Sequence, residues 1–248
     1  MKISGVAKDT VIALLVCVSE KCEAFPRDAL RGVPATDVQA DEIWGFAGMK
    51  EKTKNREQLV TPEVGDAYCF VAIERTSKLI LAWYLGKRDQ CSTRTILVDV
   101  ERSMCGRIQI STNGFTPYRQ AVQLAFSERP FDHGTLVQKY ATREDEHRYS
   151  PGEVVRTVRN VCCGNPDPDK ICTSQRHNLS MRMQNRRLTR LTNAFSKEWA
   201  NHDAASDIPM VPESPPSVCA GWPQSNDRER RVGHSPTLKQ DACSLEQR

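Results

Sequence analysis

Two apolar runs, Ala67-Tyr68-Cys69-Phe70-Val71-Ala72-Ile73 and Leu79-Ile80-Leu81-Ala82-Trp83-Tyr84-Leu85, stand either side of the polar link Glu74-Arg75-Thr76-Ser77-Lys78. Apolar runs of strand length joined this tightly predict a β-hairpin, and a hairpin needs further strands and a covering layer. The rest of the chain supplies candidates for both. Thr36 to Phe46 has strand character, with Val38, Ala40 and Ile43 around an acidic pair, and Lys50 to Gly65 reads as an exposed, charged loop. Ser92 can cap a helix carrying Ile96, Leu97 and Val100. Arg107 to Thr112 alternates as a strand and stops at the turn signal Asn113-Gly114. Tyr118 to Phe126 returns to helical spacing through Val122, Leu124 and Phe126, and a short strand follows around Leu136-Val137. Strand, hairpin, helix, strand, helix, strand is the order of an α/β chain with helices packed on a sheet.

The two ends read differently. Val6, Thr10, Val11, Leu14 and Leu15 follow a helical repeat, and Pro26 with Gly32-Val33-Pro34 marks a linker. Ala141 to Lys170 is polar, with Gly164 to Asp169 as a loop. A long helix is then expected from about Arg176 to Trp199, with Leu179, Met183, Leu188, Leu191, Ala194 and Phe195 toward the body. Its other side carries Arg182, Arg186, Arg187, Arg190 and Lys197, a basic flank that is either a solvated face or a phosphate-binding one. Past His202 prolines interrupt a stretch without periodic apolar pattern, which predicts a disordered tail.

Net charge is +4, too modest to argue for nucleic acid by itself, so position must carry that case. Of the ten cysteines only Cys162 and Cys163 are adjacent, the rest are scattered, and none form a C-x-x-C pair, which speaks against a zinc site and fits a reducing compartment. No apolar run approaches the ~20 residues of a membrane span. Ser19 to Glu23 offers no small-residue cleavage site after Val11–Val18. The expected location is cytoplasmic.

Asp41 and Glu42 are the chemically suggestive pair. Neighbouring strand residues point to opposite faces, so the two are not expected to serve one site. Asp41-Glu42-Ile43-Trp44 is followed in order by Gly86-Lys87-Arg88-Asp89, Thr112-Asn113-Gly114-Phe115, Arg148-Tyr149-Ser150-Pro151, Gly164-Asn165-Pro166-Asp167-Pro168 and Arg187 to Lys197. Together these resemble the transposases of the "insertion sequence one" family of bacterial mobile elements, over roughly Ser4 to His202. The resemblance implies an α/β, ribonuclease-H-like mixed sheet with flanking helices behind a helix-turn-helix. It divides the chain into a truncated helix-turn-helix remnant and linker (1–35), a transposase domain (36–202) and a disordered, out-of-frame tail (203–248).

In that family two aspartates and a glutamate hold two Mg²⁺ or Mn²⁺ ions, which activate the attacking oxygen and stabilise the leaving one. Asp41 matches the first acid, as the single residual metal ligand. Asn113 stands at the second position, and registering on Asn178-Leu179 puts Gln175 at the third. Asp167 and Asp169 are the only acids with a route to substitute, by movement of their loop. The expectation is therefore a DNA transposition protein by descent, impaired in catalysis, holding no metal productively and retaining weak DNA binding through the basic flank. Alternatives are a regulatory remnant acting on element ends or on another transposase copy, and a product without function. No membrane partner is implied.

Overall fold

The computed structural model describes residues 5–141, 153–173, 175–189 and 193–210. Six strands form one sheet: β1 (Asp37–Ala47), β2 (Gly65–Glu74), β3 (Ile80–Gly86), β4 (Ile108–Asn113), β5 (Phe131–Tyr140) and β6 (Val154–Cys163). Their spatial order is β3-β2-β1-β4-β5-β6. β1, β2 and β3 run antiparallel to one another in turn, β4 and β5 run parallel to β1, and β6 returns antiparallel on β5. The sheet is thus mixed and flanked by helices, as the sequence predicts.

Strand periodicity sorts the core into two layers. Val38 and Ala40 on β1, Phe70 and Ala72 on β2, and Ile108 and Ile110 on β4 are buried against α3 (Gln90–Ser103) and α4 (Pro117–Ala125). The opposite face carries Ile43, Cys69 and Val71, closed by Met181, Leu188 and Met210. Asp89, not Ser92, is the N-cap of α3: its Oδ1 accepts from the Ser92 amide at 2.8 Å. In α4, Val122 and Phe126 are buried while Leu124 points outward.

Several expectations are corrected. The N-terminal helix α1 (Lys8–Ala29) runs twice as far as its apolar repeat indicated and passes through Pro26. An interior proline costs a helix about 3 kcal/mol, and tertiary packing of α1 against α6 (Trp199–Asp207) outweighs it. Val6, Val11 and Leu14 are exposed rather than packed, and Ser19 makes the buried contact, donating to Asp207 at 2.7 Å. The polar stretch after Ala141 contains β6, an edge strand exposed along most of its length. The charged loop after Lys50 includes a short helix, α2 (Glu51–Arg56).

No single helix spans Arg176 to Trp199. Instead α5 (Gln175–Gln184) ends at Asn185, whose extended backbone and side-chain bond to the Arg187 amide at 3.1 Å start a short 3-10 turn. Leu179 and Met183 consequently face outward, and Ala194 is exposed. Leu188 is fully buried, and Phe195 packs on Phe46 at 4.9 Å between ring centres. Leu191 lies outside the described residues. The boundary expected at His202 is also too early, because Ala204, Ser206, Asp207 and Met210 are buried. Trp83 Nε1 donates to Asp207 at 2.9 Å, tying α6 to β3. The tail from 211 onward lies outside the described residues, as does the Arg148–Pro151 motif.

Candidate functional site

β1 and β4 pair in parallel only as far as Ala40 and Thr112. Beyond that point β1 continues against β2, β4 stops, and a crevice opens at the carboxyl ends of the parallel strands. Open α/β sheets place their ligands in such crevices. Asp41 and Asn113 are the first residues past the split.

Asn113 bridges the acidic pair. Its Nδ2 donates to Asp41 Oδ1 at 2.9 Å and to Glu42 Oε2 at 2.8 Å. Its Oδ1 accepts from the Phe115 amide at 2.9 Å, which fixes the side chain with its NH₂ group toward the carboxylates. This corrects the expectation that Asp41 and Glu42 serve separate places. They do leave β1 on opposite faces, but β4 has ended, so the amide at its tip reaches both from between the layers.

Each carboxylate is further engaged. Asp41 Oδ1 also accepts the Glu42 amide at 2.9 Å, and Asp41 Oδ2 accepts Asn178 Nδ2 from α5 at 2.8 Å. Glu42 Oε1 accepts Arg88 Nε and an Arg88 terminal nitrogen at 2.8 and 2.7 Å. The guanidinium lies 4.2 Å from the Phe115 ring centre, within cation–π range. Asp41 is buried, and desolvation together with the charge of Glu42 raises its pKa to about 6. The buried Tyr118 hydroxyl is pushed well up by desolvation and the two acids.

A pair of divalent cations does not fit this donor set. Hard cations need oxygen lone pairs, and here amide NH₂ groups and an arginine occupy the carboxylate oxygens. Among the described residues, no group of three or more His, Cys, Asp or Glu side chains is arranged to hold a metal. Asp167 and Asp169 do not compensate. The Asp167 backbone exchanges bonds with Gln109 at the other end of β4, and its side chain caps Asp169 at 3.1 Å. Gln175 opens α5, with its side chain outside the described part of the structure; the side chain α5 delivers to Asp41 is Asn178.

The crevice continues as an open groove of about 1330 Å³ from Tyr68 and Trp44 across Asn113 to α5 and the end of β5. The expected basic flank is divided by the end of α5. Arg182 and Arg186 line the groove. Arg187 turns inward, donates to the Asn201 carbonyl at 2.7 Å, and has its pKa lowered by burial. Lys197 is exposed beyond the turn, and Arg190 lies outside the described residues. A smaller cavity of about 460 Å³ between the end of α1, β3 and α3 contains none of the expected site residues.

Sequence reasoning missed Arg88, Asn178 and the joint role of Glu42. Arg88 does sit in a segment that carries the resemblance, and Asn178 is the residue on which Gln175 is registered, which are the signals that could have found them.

No protein-family model and no curated protein matches the chain. Among solved structures it aligns with the endonuclease V of Bacillus subtilis at 10% identity and a TM-score of 0.25, covering 68% of this chain and 82% of that one. A likeness that weak carries no argument. No helix among the described residues is long and apolar enough to cross a membrane.

Proposed function

We propose that this chain is a nucleic-acid-binding protein of transposase descent whose catalytic centre has become a cation-independent polar clamp. The observation that carries this reading is the Asn113 amide between Asp41 and Glu42 at 2.9 and 2.8 Å. In the family that the motifs resemble, the corresponding position is an acid that holds metal. A ribonuclease-H-like domain is supported by Asp41 lying on the first strand and Asn113 at the tip of the parallel strand beside it. The clamp replaces cation bridging with hydrogen bonding: three donor groups, Asn113, Asn178 and Arg88, satisfy two carboxylates. With Glu42 paired to Arg88 and an uncharged amide at 113, the crevice repels phosphate less than an open acidic triad does. Arg182 at the end of α5 and Arg186 in the turn after it supply positive charge to the groove.

The test is strand nicking of supercoiled DNA, with and without element ends, by the purified chain in Mg²⁺ or Mn²⁺, alongside a binding titration. The expected result is binding without cleavage above background, with log affinity falling as log salt rises by about 0.9 per phosphate contact. Metal-dependent nicking that Asp41→Ala abolishes overturns the loss of catalysis. Absence of binding to any nucleic acid at low salt overturns the reading altogether.

A further inference from the structure

The groove's walls are the wrong chemistry for the outside of a duplex. Tyr140, Leu179 and Met183 are 54%, 58% and 76% exposed, and all three line the groove together with the partly buried Trp44. Duplex DNA meets a protein mainly through phosphates and sugars, its base faces being stacked inside. Pressing that charged exterior onto a methionine, a leucine and two aromatic rings strips water from phosphate without a donor in return. An unpaired strand presents base faces, which stack on aromatic rings irrespective of sequence.

The dimensions agree with a polymer. Small-molecule pockets run from about 300 to 1,000 Å³ and enclose their ligand, whereas this trough of about 1330 Å³ is open. Its charge is also suitably placed. Arg182 near the end of α5 and the exposed Arg186 in the 3-10 turn after it both line the groove, so a backbone can follow that side while bases turn toward the rings. Tyr140 is held at the far end by its hydroxyl, which donates to Gln138 Oε1 at 3.0 Å, leaving the ring face presented.

We infer that the groove binds single-stranded nucleic acid, with bases stacked on Trp44 and Tyr140 and phosphates along Arg182 and Arg186. This rests on the nucleic-acid reading above and names the form of ligand that the same site takes.

The experiment is fluorescence anisotropy of the full chain with a labelled oligothymidylate of about ten nucleotides, against a duplex of the same length at matched ionic strength. The single strand is expected to bind about ten-fold more tightly or better. Tyr140→Ala should weaken single-strand binding roughly ten-fold while Tyr140→Phe retains it, since base–ring stacking is the lost contribution. Arg186→Gln should weaken binding and flatten the salt slope by about 0.7, the single-strand value per phosphate. Tyr140 is exposed near the end of β5, and circular dichroism of each variant establishes that it is folded. Equal or tighter binding of the duplex, or unchanged single-strand affinity in folded Tyr140→Ala, overturns the inference and leaves the nucleic-acid reading standing. Binding of neither oligonucleotide overturns both.

Discussion

Asn113→Asp is the most informative single substitution, because it places a third carboxylate at the centre and removes the donor that holds that centre together. Asn113 Nδ2 makes hydrogen bonds of 2.9 and 2.8 Å to Asp41 and Glu42. Each bond to a charged acceptor contributes about 1.5–3 kcal/mol, so losing both costs roughly 3–6 kcal/mol before any repulsion among three carboxyl groups. For a chain of this size, at about 2–4 °C per kcal/mol, melting should fall by on the order of 10 °C near neutral pH. Acid should narrow that gap. With its pKa raised to about 6, Asp41 is protonated at about pH 5 and can itself donate to the introduced carboxyl. Millimolar Mn²⁺ should narrow the gap as well, by bridging the three carboxyl groups, as any ligand that binds only the folded state stabilises it. The wild-type melting temperature should be insensitive to the same Mn²⁺. The assay is thermal unfolding of both proteins at about pH 8 and about pH 5, with and without Mn²⁺ at the higher pH. Equal melting temperatures at both pH values would refute the clamp, and so would a wild-type chain that Mn²⁺ stabilises as much as the variant.

The pH dependence of the wild type follows from three buried groups. Asp41, raised from 3.8 to about 6, favours the folded state by about 3 kcal/mol at low pH, a contribution lost as pH rises through about 6. His133 and His202, lowered by burial from 6.5 to about 4, act oppositely and each remove about 3 kcal/mol as pH falls through that interval. Two histidines outweigh one aspartate, so stability measured by denaturant titration should fall on acidification, and fall more steeply in Asp41→Asn. Gly134→Ala should destabilise by about 1–3 kcal/mol, because a methyl there would lie 2.5 Å from Ile171 Cδ1; an unchanged melting temperature would refute this packing. Asp207→Ala leaves the Ser19 hydroxyl and the Trp83 indole without their acceptor. It should cost about 2–6 kcal/mol at roughly 1–3 per orphaned group, whereas a tail beginning at residue 203 would tolerate it.

The parts of the fold legible in the sequence are those whose apolar pattern matches their burial. The hairpin of β2 and β3 is apolar throughout because layers cover both of its faces, and the turn signal Asn113-Gly114 marks the real end of β4. Elements without that match were misread. β6 is largely exposed on an edge and carries no apolar alternation to announce it. Met183 and Leu179 sit at helical spacing, the usual sign of a core face, yet line an open groove. The short α6 has little amphipathic pattern because it is held by specific buried contacts, Asp207 to Ser19 and Trp83 and Asn185 to the Ala205 carbonyl at 2.8 Å.

The centre divides in the same way. Asp41 and Asn113 are local facts of strand and turn, so their neighbourhood could be anticipated. The partners of the clamp could not, since Arg88 from the connection between β3 and α3, Asn113 at the tip of β4 and Asn178 on α5 meet at β1 only in the folded chain. Counting lost carboxylates predicts a weakened centre, but geometry gives a different result. A buried Asp41 beside Glu42 is costly when bare, since desolvation and like charge both act against it. Without the Asn113 amide, Asp41 would keep, among the described residues, only the Asn178 and Glu42 amides and Glu42 only Arg88. The Asn113 side-chain NH₂ group faces both acids, while Asn178 and Arg88 take the remaining oxygens. These donors together hold the two acids in place where β1 and β4 part.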